Sequence, residues 1–303
     1  MERSRLILGS RGSELALAQA QRVRDILVTD LDVPVEIKVI KTTGDRIDHL
    51  SFDKMEGKGF FTKELEEALL AGQIDLAVHS LKDLMTTQPQ GLKLGAVGCR
   101  EDRRELLIIK KESRVDSGVL PVKSGGVVGT SSVRRKCQVA THNPLLHVKD
   151  LRGNIPTRIK KLREGQYDAI VIAAAGVRRL SLDLSDLEVV YLDPEVFLPA
   201  PGQGMLGIEI RLDDSEVETV VSKLGSGEDK LEAFLERGLL ARFESGCSLP
   251  LGVYSQIQGD RYRLKAVLGQ RTNGGWLGLK NADVTGMDTQ SIIDRVFEQL
   301  SQG

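Results

Sequence analysis

Positively charged side chains stand directly after several stretches that are typical of β-strands. In chain order these groups are Arg11 with Ser13, Lys82 with Asp83, then Thr130, Ser132, Arg134 and Arg135, and finally Arg152 with Arg158. A single arginine is usually a solvated surface charge. However, the carboxyl ends of parallel strands share one edge of a sheet, where helix N-termini also attract anions. Because guanidinium groups bind carboxylates through paired hydrogen bonds, this pattern predicts a polyanionic ligand.

Asp83 is unexpected among anion-binding cations, because a carboxylate repels acidic ligands. Its position is explained if the reaction develops positive charge nearby. Two opposite charges ~4 Å apart at an effective dielectric of ~20 interact by about 4 kcal/mol. If that interaction forms only in the transition state, it contributes about three decades of rate. A structural salt bridge with Lys82 or a helix cap is the alternative, and spacing alone does not decide between the two.

A cysteine on a tight turn is the second chemical feature. Residues 245–250 read SGCSLP, which places Cys247 after a predicted helix. A core thiol more often lies within a regular element, and neighbouring Arg242 would lower the pKa of this thiol. No His–Asp pair stands near it in sequence, so protease-like chemistry is not supported. The residues alone leave the role of Cys247 open.

Other motifs give weaker signals. Residues 202–207 spell G-x-G-x-x-G, but they follow a proline-rich turn and enter a strand-like run. We therefore interpret them as a tight hinge turn and not as a dinucleotide site. The glycines of residues 56–61, EGKGFF, predict a mobile lid, with an ordinary surface loop as the alternative.

The histidines do not predict a metal site. The sequence contains four, at His49, His79, His142 and His147, and none has a second His or Cys at metal-ligand spacing. His79 ends a predicted buried strand, so we favour a core role over catalysis for it.

Composition narrows the class of protein. The chain has 303 residues and a formal net charge of −1, which suggests about two domains and lacks the basic excess of a general nucleic-acid binder. Three widely separated cysteines, Cys99, Cys137 and Cys247, favour reduced thiols and a cytosolic protein. The sequence contains no apolar run long enough to span a membrane, and its N-terminus lacks the apolar stretch of a signal peptide.

The sequence predicts alternating strands and helices, and these elements would position the charged side chains. Strands are predicted at 6–8, 35–39, 75–78, 92–97, 127–128, 146–148 and 169–173, with helices that begin after Ser13, Thr62, Ser131 or Ser132, and Asn154. This alternation predicts two α/β units with largely parallel sheets and a ligand cleft between them. Residues 198–204 form the predicted crossing between the units. A strand at 205–210, helices at 217–224 and 231–243, a hairpin over 253–268 and a helix at 292–300 follow.

Together these segments resemble the porphobilinogen deaminase (hydroxymethylbilane synthase) family over nearly the whole chain. The resemblance rests on residues 9–13 (GSRGS), 57–59 (GKG), 63–66 (KELE), 77–83 (AVHSLKD), 129–135 (GTSSVRR), 151–154 (LRGN), 198–204 (LPAPGQG) and 246–247 (GC). It implies two periplasmic-binding-protein-like α/β domains with a cleft between them, plus a small C-terminal α+β domain. The implied boundaries are 1–101 with 201–221, then 104–197, then 224–303.

The resemblance also implies an activity. Four porphobilinogen molecules would condense head to tail, with loss of ammonia, to the linear tetrapyrrole hydroxymethylbilane. The product would pass to uroporphyrinogen-III synthase, and the enzyme would be a cytoplasmic monomer with no nucleic-acid or membrane partner. The implied cofactor is a dipyrromethane in thioether linkage to Cys247.

Residue roles follow from the same resemblance. Asp83 and Lys82 would be catalytic, with Asp83 engaging pyrrole nitrogens and stabilising the azafulvene cation left when ammonia departs. The residues implied to bind the cofactor are Cys247, Ser13, Lys82, Asp83, Thr130, Ser132, Arg134, Arg135 and Arg152. Those implied to bind substrate are Arg11, Gln19, Arg152, Arg158 and Gln203, and those implied to form the lid are Lys54, Lys58 and Phe61.

The chain departs from the family pattern at four positions. Glu56 and Ser245 stand where the family often has Gly, Pro201 where Val is common, and Arg103 where Pro is frequent. These positions belong to the predicted lid, cofactor loop and hinges. Two other classes stay open, a periplasmic-type binding protein and a Cys-dependent hydrolase, and the absence of a leader-like segment and the Cys247 turn argue against the binding protein.

Overall fold

The structure, a computed structural model, describes residues 4–41, 62–243, 249–272 and 275–302. Its elements in chain order are β1 (Leu6–Ser10), α1 (Glu14–Thr29), β2 (Val35–Val39), α2 (Lys63–Leu70), β3 (Leu76–Ser80), β4 (Leu92–Gly98), β5 (Glu105–Ile109), β6 (Val127–Gly129), α3 (Val133–His142), β7 (His147–Lys149), α4 (Ile155–Arg163), β8 (Ala169–Ala173), α5 (Ala174–Arg179), β9 (Glu188–Tyr191), β10 (Leu206–Arg211), α6 (Ser215–Val221), α7 (Gly227–Arg242), β11 (Leu251–Gln258), β12 (Arg261–Thr272), β13 (Gly275–Gly286) and α8 (Thr289–Ser301). Among the helices that the structure describes, none contains an apolar stretch of the length that a bilayer crossing requires.

The chain divides into two units. Unit 1 comprises Met1–Glu101 and Gly204–Lys230, and unit 2 comprises Asp102–Gln203 and Leu231–Gly303. The second and third predicted domains thus fall in one unit, and the three-domain division stays a prediction. Within unit 2, β12 approaches α3 so closely that a Cβ at Gly269 would lie 2.4 Å from the Sγ of Cys137, an approach that glycine permits.

Unit 1 contains a five-stranded sheet in the order β2-β1-β3-β10-β4. β1 runs parallel to β2 and β3, whereas β10 runs antiparallel to both of its neighbours. Helix α1 begins at Ser13, whose hydroxyl accepts a hydrogen bond from the N–H of Ala16 at 3.3 Å. Its buried stripe, Ala20, Val23 and Leu27, packs on the sheet and confirms the predicted amphipathic helix.

Unit 2 contains a second five-stranded sheet, in the order β7-β6-β8-β5-β9. The strands β7, β6 and β8 are parallel, and β5 is antiparallel to β8 and β9. Every residue of β8 is buried, as expected for a strand covered on both faces. Asn154 caps α4 by accepting from the N–H of Thr157 at 2.9 Å, with Pro156 in the first turn, as predicted.

The C-terminal part of unit 2 is an α+β layer. Strands β11, β12 and β13 form an antiparallel sheet, which shares an apolar core with α7 and α8. The prediction of a hairpin and a closing helix is confirmed. Strands β5, β9 and β13 were not predicted, and each of the two larger sheets contains one antiparallel strand that the expectation of largely parallel sheets did not specify.

Candidate active site

The first group of predicted residues lies at one edge of the unit 1 sheet. Strands β1 and β3 are parallel neighbours with Leu8 opposite Leu76, so the residues that follow each strand share an edge. Arg11 and Ser13 follow β1, while Lys82 and Asp83 lie in a single 3-10 turn, Leu81–Asp83, directly after β3. The structure therefore brings these four side chains to the same end of the sheet.

Buried leucines and a backbone hydrogen bond hold the turn that carries Asp83 in place. Leu81 and Leu84 are buried on either side of it, and the N–H of Leu81 donates to the carbonyl of Met205 at 3.0 Å. Lys82 is half-buried, whereas Asp83 is exposed. A carboxylate presented on a fixed turn is well placed to meet a ligand, because little conformational freedom remains to be lost on binding.

Gln19, predicted to bind substrate, contacts the same turn from α1. Its side chain is buried, and Nε2 donates to the Oγ of Ser80 at 2.7 Å. The hydrogen bond ties the helix that follows Ser13 to the residue that precedes the Leu81–Asp83 turn. The structure thus shows Gln19 in a positioning contact, and its direct contact with substrate stays a prediction.

A buried acid–base pair lies behind this edge. The Nε2 of His79 on β3 is 3.3 Å from the Oε2 of Glu209 on β10, and both side chains are shielded from solvent. The burial of His79 agrees with the core role favoured from sequence. Sequence reasoning did not single out Glu209, although a glutamate between the apolar residues Ile208 and Ile210 was a usable signal.

The second group of predicted residues begins α3 in unit 2. Thr130 is buried, its Oγ1 accepts from the N–H of Ser132 at 3.3 Å, and its own N–H donates to Lys149 at 3.0 Å. Ser132 occupies the N-cap position of α3 but makes no capping hydrogen bond through its side chain. These contacts hold the segment after β6 against the end of β7.

Arg134 and Arg135 share one carboxylate, that of Glu105 on β5. Arg134 Nη2 donates to Oε1 at 2.6 Å, and Arg135 donates from Nε to Oε1 at 3.0 Å and from Nη2 to Oε2 at 2.7 Å. All three residues are buried. Burial lowers the pKa of the Arg134 guanidinium, and the charge of Glu105 acts in the opposite direction. Both arginines are thus internally paired, a feature that the sequence analysis did not anticipate.

Sequence reasoning missed Glu105 altogether. The available signal was an acidic residue at the head of the fully apolar run Leu106–Ile109, where burial of a charge requires a cationic partner.

Arg152 and Arg158 flank a tight turn after β7. Arg158 Nε donates to the carbonyl of Gly153 at 2.7 Å, and Lys161 Nζ donates to the carbonyl of Arg152 at 3.0 Å. Gly153 has φ 110°, and a Cβ there would lie 2.7 Å from Thr157, so only glycine fits. The turn therefore places both arginines next to the N-terminus of α4, where anions are favoured.

Gln203, predicted to bind substrate, is fully buried, and its Nε2 donates to the carbonyl of Arg103 at 2.9 Å. This geometry gives it a packing contact, and its role in substrate binding stays a prediction. Gly202 and Gly204 have φ 72° and 89°, and the chain then enters β10. The G-x-G-x-x-G segment is therefore a turn before a strand, as predicted, and not the turn between a strand and a helix that a dinucleotide fingerprint forms.

Several predicted residues lie outside the described ranges. These are Cys247, predicted to carry the cofactor, and Lys54, Lys58 and Phe61, predicted to form a lid. Arg242, expected to activate the thiol, forms an ion pair with Asp294. Burial raises the pKa of the Cys137 thiol to about 11, which disfavours the reactive thiolate at that cysteine. Within the described part of the chain, no cluster of His, Cys, Asp or Glu is suited to a metal ion.

The fold and these strand-end groups define an α/β protein that carries cationic side chains at the carboxyl ends of parallel strands in each unit. The family model "Porphobilinogen deaminase, dipyromethane cofactor binding domain" matches residues 6–219, and "Porphobilinogen deaminase, C-terminal domain" matches residues 230–275. The chain belongs to the porphobilinogen deaminase family. It is therefore a transferase of tetrapyrrole biosynthesis with a dipyrromethane cofactor, and porphobilinogen is the substrate of this family.

Comparison with individual relatives supports the same family assignment. Porphobilinogen deaminase of Roseiflexus sp. is 43% identical over 97% of this chain and 96% of its own. Porphobilinogen deaminase of Sulfurimonas denitrificans is 45% identical to this chain, and the match covers 88% of this chain and 84% of the relative. Among solved structures, a periplasmic substrate-binding protein of an ABC transporter from Coxiella burnetii is 14% identical, covers 77% of this chain and 97% of its own, and has a TM-score of 0.45. Similarity at that level carries no argument about function.

Proposed function

We propose that Asp83, on its anchored turn, stabilises the positive charge that develops when porphobilinogen loses ammonia during the stepwise assembly of hydroxymethylbilane. The observation that carries this proposal is an exposed carboxylate at a sheet edge otherwise occupied by Arg11 and Lys82. A charge interaction of about 4 kcal/mol, formed mainly in the transition state, corresponds to about three decades of rate. Lys82, beside it in the same turn, supplies positive charge to the acidic groups of the bound molecules.

The residues of unit 2 suit an acidic cofactor. Two buried guanidinium groups share the single carboxylate of Glu105, which leaves one positive charge in surplus. A carboxylate of the cofactor would balance that charge. The residues proposed to hold the dipyrromethane are Cys247, which attaches it, with Ser13, Lys82, Asp83, Thr130, Ser132, Arg134, Arg135 and Arg152. When bound, the dipyrromethane would supply the terminal pyrrole to which the first unit is joined, and each later unit would be joined to the one before it.

The incoming substrate requires its own anion-binding groups. We assign these to Arg11, Arg152 and Arg158, because each follows a parallel strand and a charge-assisted hydrogen bond to a carboxylate contributes roughly 1.5–3 kcal/mol. Gln19 supports the site through Ser80, and Gln203 supports it through the backbone of Arg103. Lys54, Lys58 and Phe61 are proposed to cover the bound substrate.

The cellular setting is part of the same proposal. The enzyme would act as a monomer in the cytosol and release its product to uroporphyrinogen-III synthase. The wide spacing of Cys99, Cys137 and Cys247 supports a reducing compartment. Size-exclusion chromatography with light scattering measures the oligomeric state directly, and a stable dimer would contradict this assignment.

The intact mass of the purified protein tests the cofactor assignment. We expect the mass of the chain plus two condensed pyrroles, and the bare-chain mass for Cys247→Ala. Cys99→Ala is the matched control and should keep the added mass. The bare-chain mass for wild-type protein purified from cells that make porphobilinogen would contradict the assignment. A binding protein or a Cys-dependent hydrolase would show that bare-chain mass.

A further inference from the structure

Glu105 occupies a rigid position in the unit 2 sheet. It is the first residue of β5, which lies between β8 and β9, with Glu105 opposite Ala173. Its carbonyl accepts a hydrogen bond from the N–H of Leu192 at 2.9 Å, and the four residues after it in the strand are buried. The backbone that carries the carboxylate therefore has little freedom to move.

Each arginine bound by Glu105 is fixed at a second point. Arg134 Nη1 donates to the carbonyl of Leu198 at 2.7 Å, and Arg135 Nη1 donates to the carbonyl of Val171 at 3.1 Å. A guanidinium group is planar and carries five N–H donors in fixed directions. Contacts both to Glu105 and to a backbone carbonyl therefore fix the plane of each guanidinium group and set the direction of the donors that are left for a ligand.

Charge gives Glu105 a second effect. Without it, two like charges would lie side by side in a buried environment, where each would repel the other and both would be poorly solvated. One carboxylate between them removes this repulsion, yet leaves a net positive charge. The combination of fixed direction and a single surplus charge is what an acidic ligand arm requires.

We propose that Glu105 is a positioning residue, which holds Arg134 and Arg135 as a rigid pair and so sets the location of the cofactor's acidic arms. This inference rests on the proposed function, in which that pair binds cofactor. Glu105 itself has no exposed surface and touches no ligand in this proposal. Its effect should fall on the turnover of loaded enzyme and not on the affinity for incoming porphobilinogen.

The test is steady-state kinetics of cofactor-loaded Glu105→Gln, with loading measured by intact mass. Glutamine keeps the shape but places an N–H₂ group against an arginine donor, so the pair loses its alignment. We expect kcat per loaded molecule to fall at least tenfold, KM to change less than threefold, and partly elongated enzyme to accumulate in the mass spectrum. Glu105→Asp keeps the charge with a shorter reach, and we expect a loss of about threefold in kcat from that misplacement.

Asp186→Asn is the matched control, because Asp186 holds Arg163 through the same two-point geometry at an exposed site. It should keep wild-type kcat. Wild-type kcat in loaded Glu105→Gln would overturn the inference, as would wild-type kcat in Glu105→Asp if the glutamine variant did not fold. A lowered melting temperature with unchanged kcat would make Glu105 purely structural and would equally overturn it.

Failure of the proposed function itself has a different signature. If Arg134→Leu and Arg135→Leu enzymes load cofactor and turn over normally, the arginine pair does not bind it. If those variants are defective while Glu105→Gln is normal, only the positioning role of Glu105 fails.

Discussion

The carboxylates of this protein differ in exposure, and that difference separates their roles. Asp83 is exposed on a turn that buried leucines hold in place, so it can approach a ligand. Glu105 is fully buried, and its two carboxylate oxygens accept hydrogen bonds from two arginines. Asp168 lies between these extremes and bonds to the N–H of Val127 and the Oγ of Ser113 at 2.8 and 2.7 Å. We therefore propose that Asp83 serves the chemistry, Glu105 the positioning of the arginines and Asp168 the stability of the fold.

Arg152 should be essential for elongation. We expect Arg152→Leu to stall at an enzyme that carries an incomplete chain, with kcat down ten- to a hundredfold, because an anion-binding group worth roughly 1.5–3 kcal/mol is lost. Mass spectrometry of the stalled species gives the number of added units. Arg163→Leu removes an exposed arginine of the neighbouring helix and should elongate normally. A normal distribution of intermediates in Arg152→Leu, with only a loss of stability, would make Arg152 structural.

Asp168 should make the stability of the protein depend on acid pH. Burial opposes ionisation, but hydrogen bonds from Lys123, Val127 and Ser113 prevail and lower the pKa of Asp168 to about 2. A lowered folded-state pKa contributes stability above the unfolded value of 3.8 and loses it as pH falls toward 2. Its contribution at neutral pH is about 1–2 kcal/mol.

Urea unfolding at several pH values measures this contribution. The difference in unfolding free energy between wild type and Asp168→Asn should be largest above pH ~5 and shrink steadily toward pH ~2. The exposed Asp116, changed to Asn, serves as control and should give a small difference at every pH. A gap between wild type and Asp168→Asn that stayed constant from pH ~5 to pH ~2 would contradict the assigned linkage.

At the scale of elements, α7 binds the two ends of the 102–203 segment of unit 2. Arg103, near the start of that segment, hydrogen-bonds Glu232 and the carbonyl of Ser255. Glu236 accepts from the N–H of Gly202, near the end of that segment, at 2.6 Å and from the Oγ of Ser255 at 2.7 Å. A proline at this position, which the resemblance leads us to expect in the family, could not form this ion pair.

Arg103→Ala should destabilise unit 2 by about 2–3 kcal/mol. The change removes a cation from two buried carboxylates, and the cost falls below the roughly 3–5 kcal/mol of a fully buried pair because Arg103 is partly exposed. Thermal unfolding followed by calorimetry is the measurement. The neighbouring Arg104→Ala breaks a more exposed pair with Asp102 and should cost less than about 1 kcal/mol. Equal losses in the two variants would show that burial of the glutamates is unimportant.

Element prediction from sequence succeeded where local signals were strong. Ser13, Asn154 and Pro156 mark helix starts through capping chemistry, and residues 169–173 are a fully apolar run, so α1, α4 and β8 were recognisable. Strand β13 was not, since its sequence GWLGLKNADVTG lacks a clean alternation. The antiparallel course of β10 and β5 depends on contacts with strands far away in sequence, which local patterns do not encode.

At the scale of the whole molecule, the sequence predicted which charged side chains share a sheet edge, but it did not predict the buried contacts that support them. The strand-end rule predicted that Arg11, Ser13, Lys82 and Asp83 share an edge, and the parallel pairing of β1 with β3 places them there. It did not reveal Glu105, nor the burial of Gln203 and Gln19. Those facts depend on which distant residues meet after folding, and a single sequence carries no direct signal for them.

Loaded Asp83→Asn is the most direct test of the central claim, that cations hold the acidic groups while one carboxylate stabilises the developing positive charge. We predict that the variant carries the cofactor mass and turns over about a thousandfold more slowly, with little change in stability. Asp213→Asn, an exposed carboxylate of the same unit, should match wild type. Cofactor-loaded Asp83→Asn with a kcat within threefold of wild type would contradict the account.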